Sequence, residues 1–244
     1  MNAIPSGLAP EHMTGRDEVG ADLRSLPGNS SIARLLRVYS EIRESLGGRL
    51  PGRDDMGPER LRDTLGWVFL AEWAPPTSIV VRLSGTHIDY VLGTNVTGVD
   101  FFDLYTDEAR PMYSRFYRHI AGRPCAGYTR RDVVVGGSET FDYHSIYLPL
   151  AGPSDRVPII GATAVSGFQR LSTAVEAGAR PDFRNLSRIG LIDLGDGAPE
   201  DGFEAVDVAA VCRELDGSGP TRLDDDALMA RSFANRPQHR TSLG

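Results

Sequence analysis

FDYHSIYLPLAG, residues 141–152, reads as a single strand that lacks a polar face. One alternating set is Phe141, Tyr143, Ser145 and Tyr147; the other is Asp142, His144, Ile146, Leu148 and Leu150. A strand with one wet face alternates apolar and polar groups along its length. Apolar groups on both sides require cover on both faces, or a pocket in which His144 supplies a polar handle.

The flanking segments make this strand the middle of a meander. PCAGYTRRDVVV (124–135) precedes it across the turn GGSET (136–140), and VPIIGATAVSGF (157–168) follows a Gly- and Pro-marked loop. Further upstream, WVFLAEW (67–73) and the β-branched run SIVVRLSG (78–85) form two more strands joined at Pro75-Pro76. Short helical pieces lie around and between these groups. GPERLRDTLG (57–66) has Pro58 in its first turn and Gly66 past its end, and THIDYVLG (86–93) ends at Gly93. NVTGVDFFDLY (95–105) is irregular and aromatic. TDEARPMYSRFYRHIAG (106–122) has Thr106 as a cap, acidic residues in its first turn, and Met112, Phe116 and His119 or Ile120 on one face. Two strands, several small helices and three strands predict an α+β fold: a five-stranded antiparallel sheet with helices on a face.

Before the sheet, Ile32, Leu35, Tyr39, Ile42 and Leu46 recur at spacings of three and four in SSIARLLRVYSEIRESLGG. Ser30 or Ser31 can cap this helix and Gly47-Gly48 can end it. The stripe either lies on the chain's own sheet or forms an interface with a second copy in a homodimer. Residues 1–29 read as a disordered lead-in, 30–170 as the domain with its N-terminal helix, and 171–244 as a partly ordered extension. In the extension, 188–195 can add a strand, while 203–215 and 224–234 can form short helices.

Composition removes several function classes. The net charge of −7 opposes general nucleic-acid binding, and the absence of lysine excludes lysine chemistry. Two distant cysteines, Cys125 and Cys212, make neither a disulfide framework nor a metal cluster and suit a reducing cytoplasm. The opening residues lack a signal-peptide run, and no segment approaches the ~18 apolar residues read as a membrane span. There is no phosphate loop, dinucleotide fingerprint, Gly-x-Ser-x-Gly elbow, close-spaced metal-ligand motif or basic recognition helix. Ser145 beside His144 on one strand would point to the opposite face, so the two could not share a proton. No catalytic or metal residue is assigned.

The order of several short motifs resembles a bacterial family of stand-alone PAS-type domains. The carrying residues are Gly48-Arg49-Leu50-Pro51, Leu83-Ser84-Gly85-Thr86, Thr97-Gly98 and Leu148-Pro149-Leu150, across roughly residues 32–170. Gly57 stands where that family usually has an Asp cap, a substitution that glycine tolerates. The resemblance implies sheet order 2-1-5-4-3 with small helices over one face. It also implies a non-catalytic sensory role in signalling, through a small-molecule ligand or a partner such as a kinase or regulator. With the N-terminal helix on the other face, the 141–152 strand is covered twice, which accounts for its apolar character on both sides.

A ligand cleft between the sheet and the 95–120 helices would draw on Tyr90, Phe102, Met112, Phe116, His119, Tyr128, His144 and Ile146. His144 can be a ligand handle or a hydrogen-bonded core histidine. Some PAS sensors hold haem through a helical histidine, but His119 among Phe116, Tyr117 and Ile120 reads as packing, and no cofactor is required. The rival readings are an interaction module with a closed cavity, and a small enzyme using His144 or His119 as a base.

Overall fold

The computed structural model describes residues 23–137, 139–197 and 202–216. Its centre is one sheet built from β1 (Val68–Ala74), β2 (Ser78–Ser84), β3 (Cys125–Val135), β4 (Glu139–Pro149), β5 (Val157–Val165), β6 (Pro181–Asp193) and β7 (Glu204–Ala205). The strand order is β2-β1-β5-β4-β3-β6-β7. The 2-1-5-4-3 core is the order implied by the motifs, and every pair within it is antiparallel. The meander β3–β4–β5 puts β4 at the middle, with Ile146 opposite Tyr128 on one side and Ala162 on the other.

The sheet has seven strands where five were expected. β6 runs along the outer edge of β3, and two-residue β7 joins it in parallel. Only the end of β6 was legible, at 188–195, because its ladder with β3 shifts register twice and so breaks the alternation. The 57–66 segment is two short 3-10 turns, Pro58–Arg60 and Arg62–Trp67, instead of one helix. The helix expected from Thr106 begins later, as α3 (Arg110–Gly122); Thr106 closes a turn by accepting from the amides of Ala109 and Arg110. Its buried face is Tyr113, Phe116, Tyr117 and Ile120, leaving Met112 and His119 half-buried. The 224–234 helix, the terminal residues and the first part of the lead-in lie outside the described residues.

One sheet face carries α1 (Ser31–Ser45) and α5 (Val208–Glu214). The Ser30 side chain caps α1 by accepting from Ala33 N at 3.2 Å. Ile32, Leu35 and Tyr39 are fully buried against Ile146, Leu148 and Ile160, and Ile42 joins them. Half-buried Leu46 packs on the same cluster. Of the two readings of this stripe, the structure therefore shows the helix laid on its own sheet. These five side chains are engaged within the chain, because the sheet offers them an apolar surface at no association cost. Leu23 and Leu26 are buried in the same core, so the lead-in packs from residue 23 onward. Arg37 Nη1 fixes that segment by donating to the carbonyls of Leu26 at 2.7 Å and Gly28 at 2.9 Å.

Tyr39 also ties helix to sheet, its hydroxyl donating to the carbonyl of Pro149 at 2.7 Å. Burial, the largest cause, raises its pKa far above the ordinary phenol range, so the donor proton stays in place. Tyr39→Phe should lower the unfolding free energy by ~1–2 kcal/mol, because a buried carbonyl loses its partner. Urea denaturation checks this; an unchanged midpoint would mean the bond contributes nothing net.

The opposite face carries α2 (Thr86–Leu92), the aromatic turn Phe101–Leu104, α3 and α4 (Phe168–Glu176). Contact here is direct. A Cβ at Gly127 of β3 would lie 2.4 Å from Phe116 Cζ and 2.4 Å from Ile120 Cδ1. At Gly161 of β5 it would lie 2.1 Å from Phe69 Cζ. These glycines let rings rest on the backbone. With Phe141, Tyr143 and Tyr147 buried on this face and His144, Ile146 and Leu148 on the other, β4 is covered twice. Among the described residues no helix is long and apolar enough to cross a membrane.

Candidate functional site

The eight cleft candidates fall on both faces of the sheet. Tyr128, His144 and Ile146 face α1 and α5, while Phe102, Met112 and Phe116 belong to the α3 side. Tyr90 packs at the α4 end, its hydroxyl donating to Glu176 Oε1 at 2.7 Å. His119 lies at the rim, edge-on to Phe203 at 5.8 Å. One cleft therefore cannot take all eight: strand parity puts Tyr128, His144 and Ile146 on the far side of the sheet from α3.

On the α1 face, His144 is fully buried and its Nδ1 lies 2.7 Å from the Tyr128 hydroxyl, while Nε2 has no hydrogen-bond partner. Burial, reinforced by the Arg130 charge, pushes its pKa down to about 4. It is neutral at pH 7, a core histidine. Ligand atoms of Asp142, His144 and Glu214 lie within 4.8 Å of one another. Arg130, however, reaches Asp142 at 2.9 Å and Glu214 at 3.1 Å. A cation there would have to displace a guanidinium from both carboxylates, so the group is an ion-pair network beside a buried histidine.

Cys125 and Cys212 are buried, and desolvation first of all pushes their thiols up to about 12 and about 11. Neither supplies a thiolate nucleophile at neutral pH.

The α3 face is a layer of rings with one polar island. Tyr147 on β4 meets Phe69, Phe116 and Tyr117 edge-on at 5.6, 5.7 and 5.8 Å. Tyr105 stacks on Tyr113 at 3.7 Å, and its hydroxyl lies 3.0 Å from that of Tyr117. Into this group comes Arg131 of β3, half-buried, whose Nη2 donates to the Tyr113 hydroxyl at 2.5 Å. Its Nη1 donates to the Phe183 carbonyl at 3.1 Å. Burial above all raises the pKa of Tyr105, Tyr113 and Tyr117, keeping their hydroxyls protonated. None of these polar residues stood among the sequence candidates. The usable signal was Tyr113 and Tyr117 four apart on a helix, facing a strand with Arg131 among apolar positions.

A family model described as a PAS domain matches residues 29–164, more than half of the chain. The chain belongs to this PAS-domain family, and its 2-1-5-4-3 core with helices over one face is a PAS-like α+β fold. Membership carries a sensory or regulatory class of role. No curated protein and no solved structure matches the chain.

Proposed function

We propose that this chain is a non-catalytic PAS regulator of bacterial signalling that takes a small ligand on the α3 face of its sheet. It then alters a partner such as a kinase or regulator. The observation that carries this reading is the polar island: a half-buried arginine and tyrosine hydroxyls inside an otherwise apolar ring layer. Few polar groups set in an apolar, aromatic lining are the composition of a ligand site. Ligand binding would shift the population of arrangements of α3 and the aromatic turn, changing the outer surface a partner meets. The neutral, doubly covered His144 and the buried thiols support a regulator over a hydrolytic enzyme.

The experiment is a native mass measurement of freshly purified protein against the 26.5 kDa chain, with a thermal-shift screen of small neutral and charged compounds. A retained mass, or a compound that raises the melting temperature, is the expected result. A clean mass and a silent screen would overturn the ligand reading.

A second reading, the interaction module with a closed cavity, is favoured by Gly127 and Gly161, where rings leave no room even for a methyl group. In that case a partner recovered by cross-linking binds full strength to ligand-free protein.

A further inference from the structure

The two edges of the sheet differ. On the outer side of β2, Val81 donates to the Val99 carbonyl at 3.0 Å and accepts from the Gly98 amide at 2.8 Å, so the segment before the aromatic turn closes that edge. On the outer side of β6, two-residue β7 pairs only with Gly190 and Leu191. Along 181–189 no strand of the described residues meets the outer backbone of β6. A row of backbone donors and acceptors at a sheet edge is a template for another strand. The shields that such edges carry are few here: Pro181 stands at the first residue of the strand, and the chain has no lysine.

The pattern along this edge identifies what it fits. Half-buried Phe183, Leu186 and Ile189 stand along it on the side of α3 and α4. On the α1 side, Asp182, Asn185 and Arg188 lie opposite Val134, Asp132 and Arg130 of β3, two ladder positions apart each time. One extra β6 residue is accommodated between Asp182 and Asn185, and one between Asn185 and Arg188. The edge therefore has the same spacing on either side of Asn185, while its charge changes sign from Asp182 to Arg188. A copy of β6 turned about a two-fold axis at Asn185 meets the original bulge against bulge and acid against base. A regular strand would match neither.

We infer that a second copy of this chain adds antiparallel to β6 along residues 181–189, about a two-fold axis at Asn185, and joins the two sheets into one. Asp182 of each copy then stands opposite Arg188 of the other. Arg188 also binds Glu204 through Nε and Nη2, and a guanidinium has five N–H groups to share between two carboxylates. The half-buried apolar residues beside the edge lose further surface to water when the copies meet. The apolar stripe of α1 takes no part, because it is buried on its own sheet. The inference is independent of the ligand reading above.

The test is the mass of the full chain in solution, by sedimentation across a concentration series and by native mass spectrometry. Wild type should associate to a dimer of the 26.5 kDa chain. Asn185 is exposed, so Asn185→Arg and Asn185→Asp leave the core intact and set like charges face to face on the axis. Each variant alone should raise the dissociation constant at least tenfold. Mixed, the two should form a heterodimer, because arginine then faces aspartate. Asp182→Arg, which sets two arginines opposite each other, supplies a further weakened variant should Asn185→Asp lose stability beside Asp132. A monomer at every concentration overturns the inference, and so does a wild-type dimer that these variants leave undiminished. Folded variants that are weakened alone and fail to associate when mixed overturn it too, since the axis then does not pass through Asn185.

Discussion

Phe116→Ala should destabilise the protein by ~3–5 kcal/mol, the range for a fully buried phenylalanine whose site cannot collapse. Phe116 has no exposed surface, and its ring sits 5.3 Å from Tyr117, 5.7 Å from Tyr147 and 5.7 Å from Phe203. It also lies over Gly127, so its removal opens a void against the backbone of β3, which the sheet ladders on both sides hold in place. Denaturant unfolding with an unchanged slope would read the loss directly. A companion change sharpens it. Gly127→Ala in the wild type puts a methyl where the Phe116 and Ile120 tips now sit, an overpacking cost of ~1–3 kcal/mol. In the Phe116→Ala background the clash with the ring is gone and only the Ile120 tip still has to give way, so the two costs should fall short of additive. Additive losses would show that the ring does not rest on the glycine.

Stability should fall steeply as the pH drops from about 6.5 to about 4, and His144 should account for much of it. Its pKa moves from an ordinary value of 6.5 to about 4, primarily through burial and secondarily through the Arg130 charge. The unfolded chain therefore binds a proton that the folded chain refuses. The contribution of neutral His144 is whole above pH 6.5, declines as the unfolded histidine protonates, and levels off once the pH passes below about 4. A separation of that size corresponds to at most ~3 kcal/mol. His144→Gln leaves a neutral group that can still meet the Tyr128 hydroxyl, and should flatten the unfolding free energy across this window at some cost at pH 7. A pH profile as steep in His144→Gln as in the wild type would assign the acid sensitivity to other groups.

Much of the fold was legible from periodicity. The turn residues Gly136-Gly137, both at positive φ, and the apolar runs on either side marked β3, β4 and β5. Gly93, left-handed at φ 69°, closes α2 where a helix stop was read. The helical stripe of α1 was correct in phase, and tertiary contact decided that it serves the chain's own sheet. The illegible parts share a cause. β6 pairs through a bulged ladder, and the 57–66 segment contains turns too short for any periodic signature. α4 begins after left-handed Gly167 with no side-chain cap to announce it.

The candidate site was harder to read. Phe102 and Phe116 sit on helical elements that cover the sheet, and both pack in the buried cluster on the α3 side. His144 stood out by chemistry, yet its alternation with Tyr143 and Ser145 turns it to the α1 face, where it pairs with Tyr128. The polar island escaped because its parts come from the aromatic turn, α3, β3 and β4, residues 105 to 147, which are not periodic with one another.

Composition, period and punctuation determine which segments are strands or helices and which side of each is apolar, since these follow from chain geometry at close range. That was enough for the α+β class and for the double cover of residues 141–152. Only the folded chain decides which covered face holds the half-buried Arg131. That outcome depends on Arg131, on one strand, meeting tyrosine hydroxyls from three other elements, and such meetings are set by long-range packing.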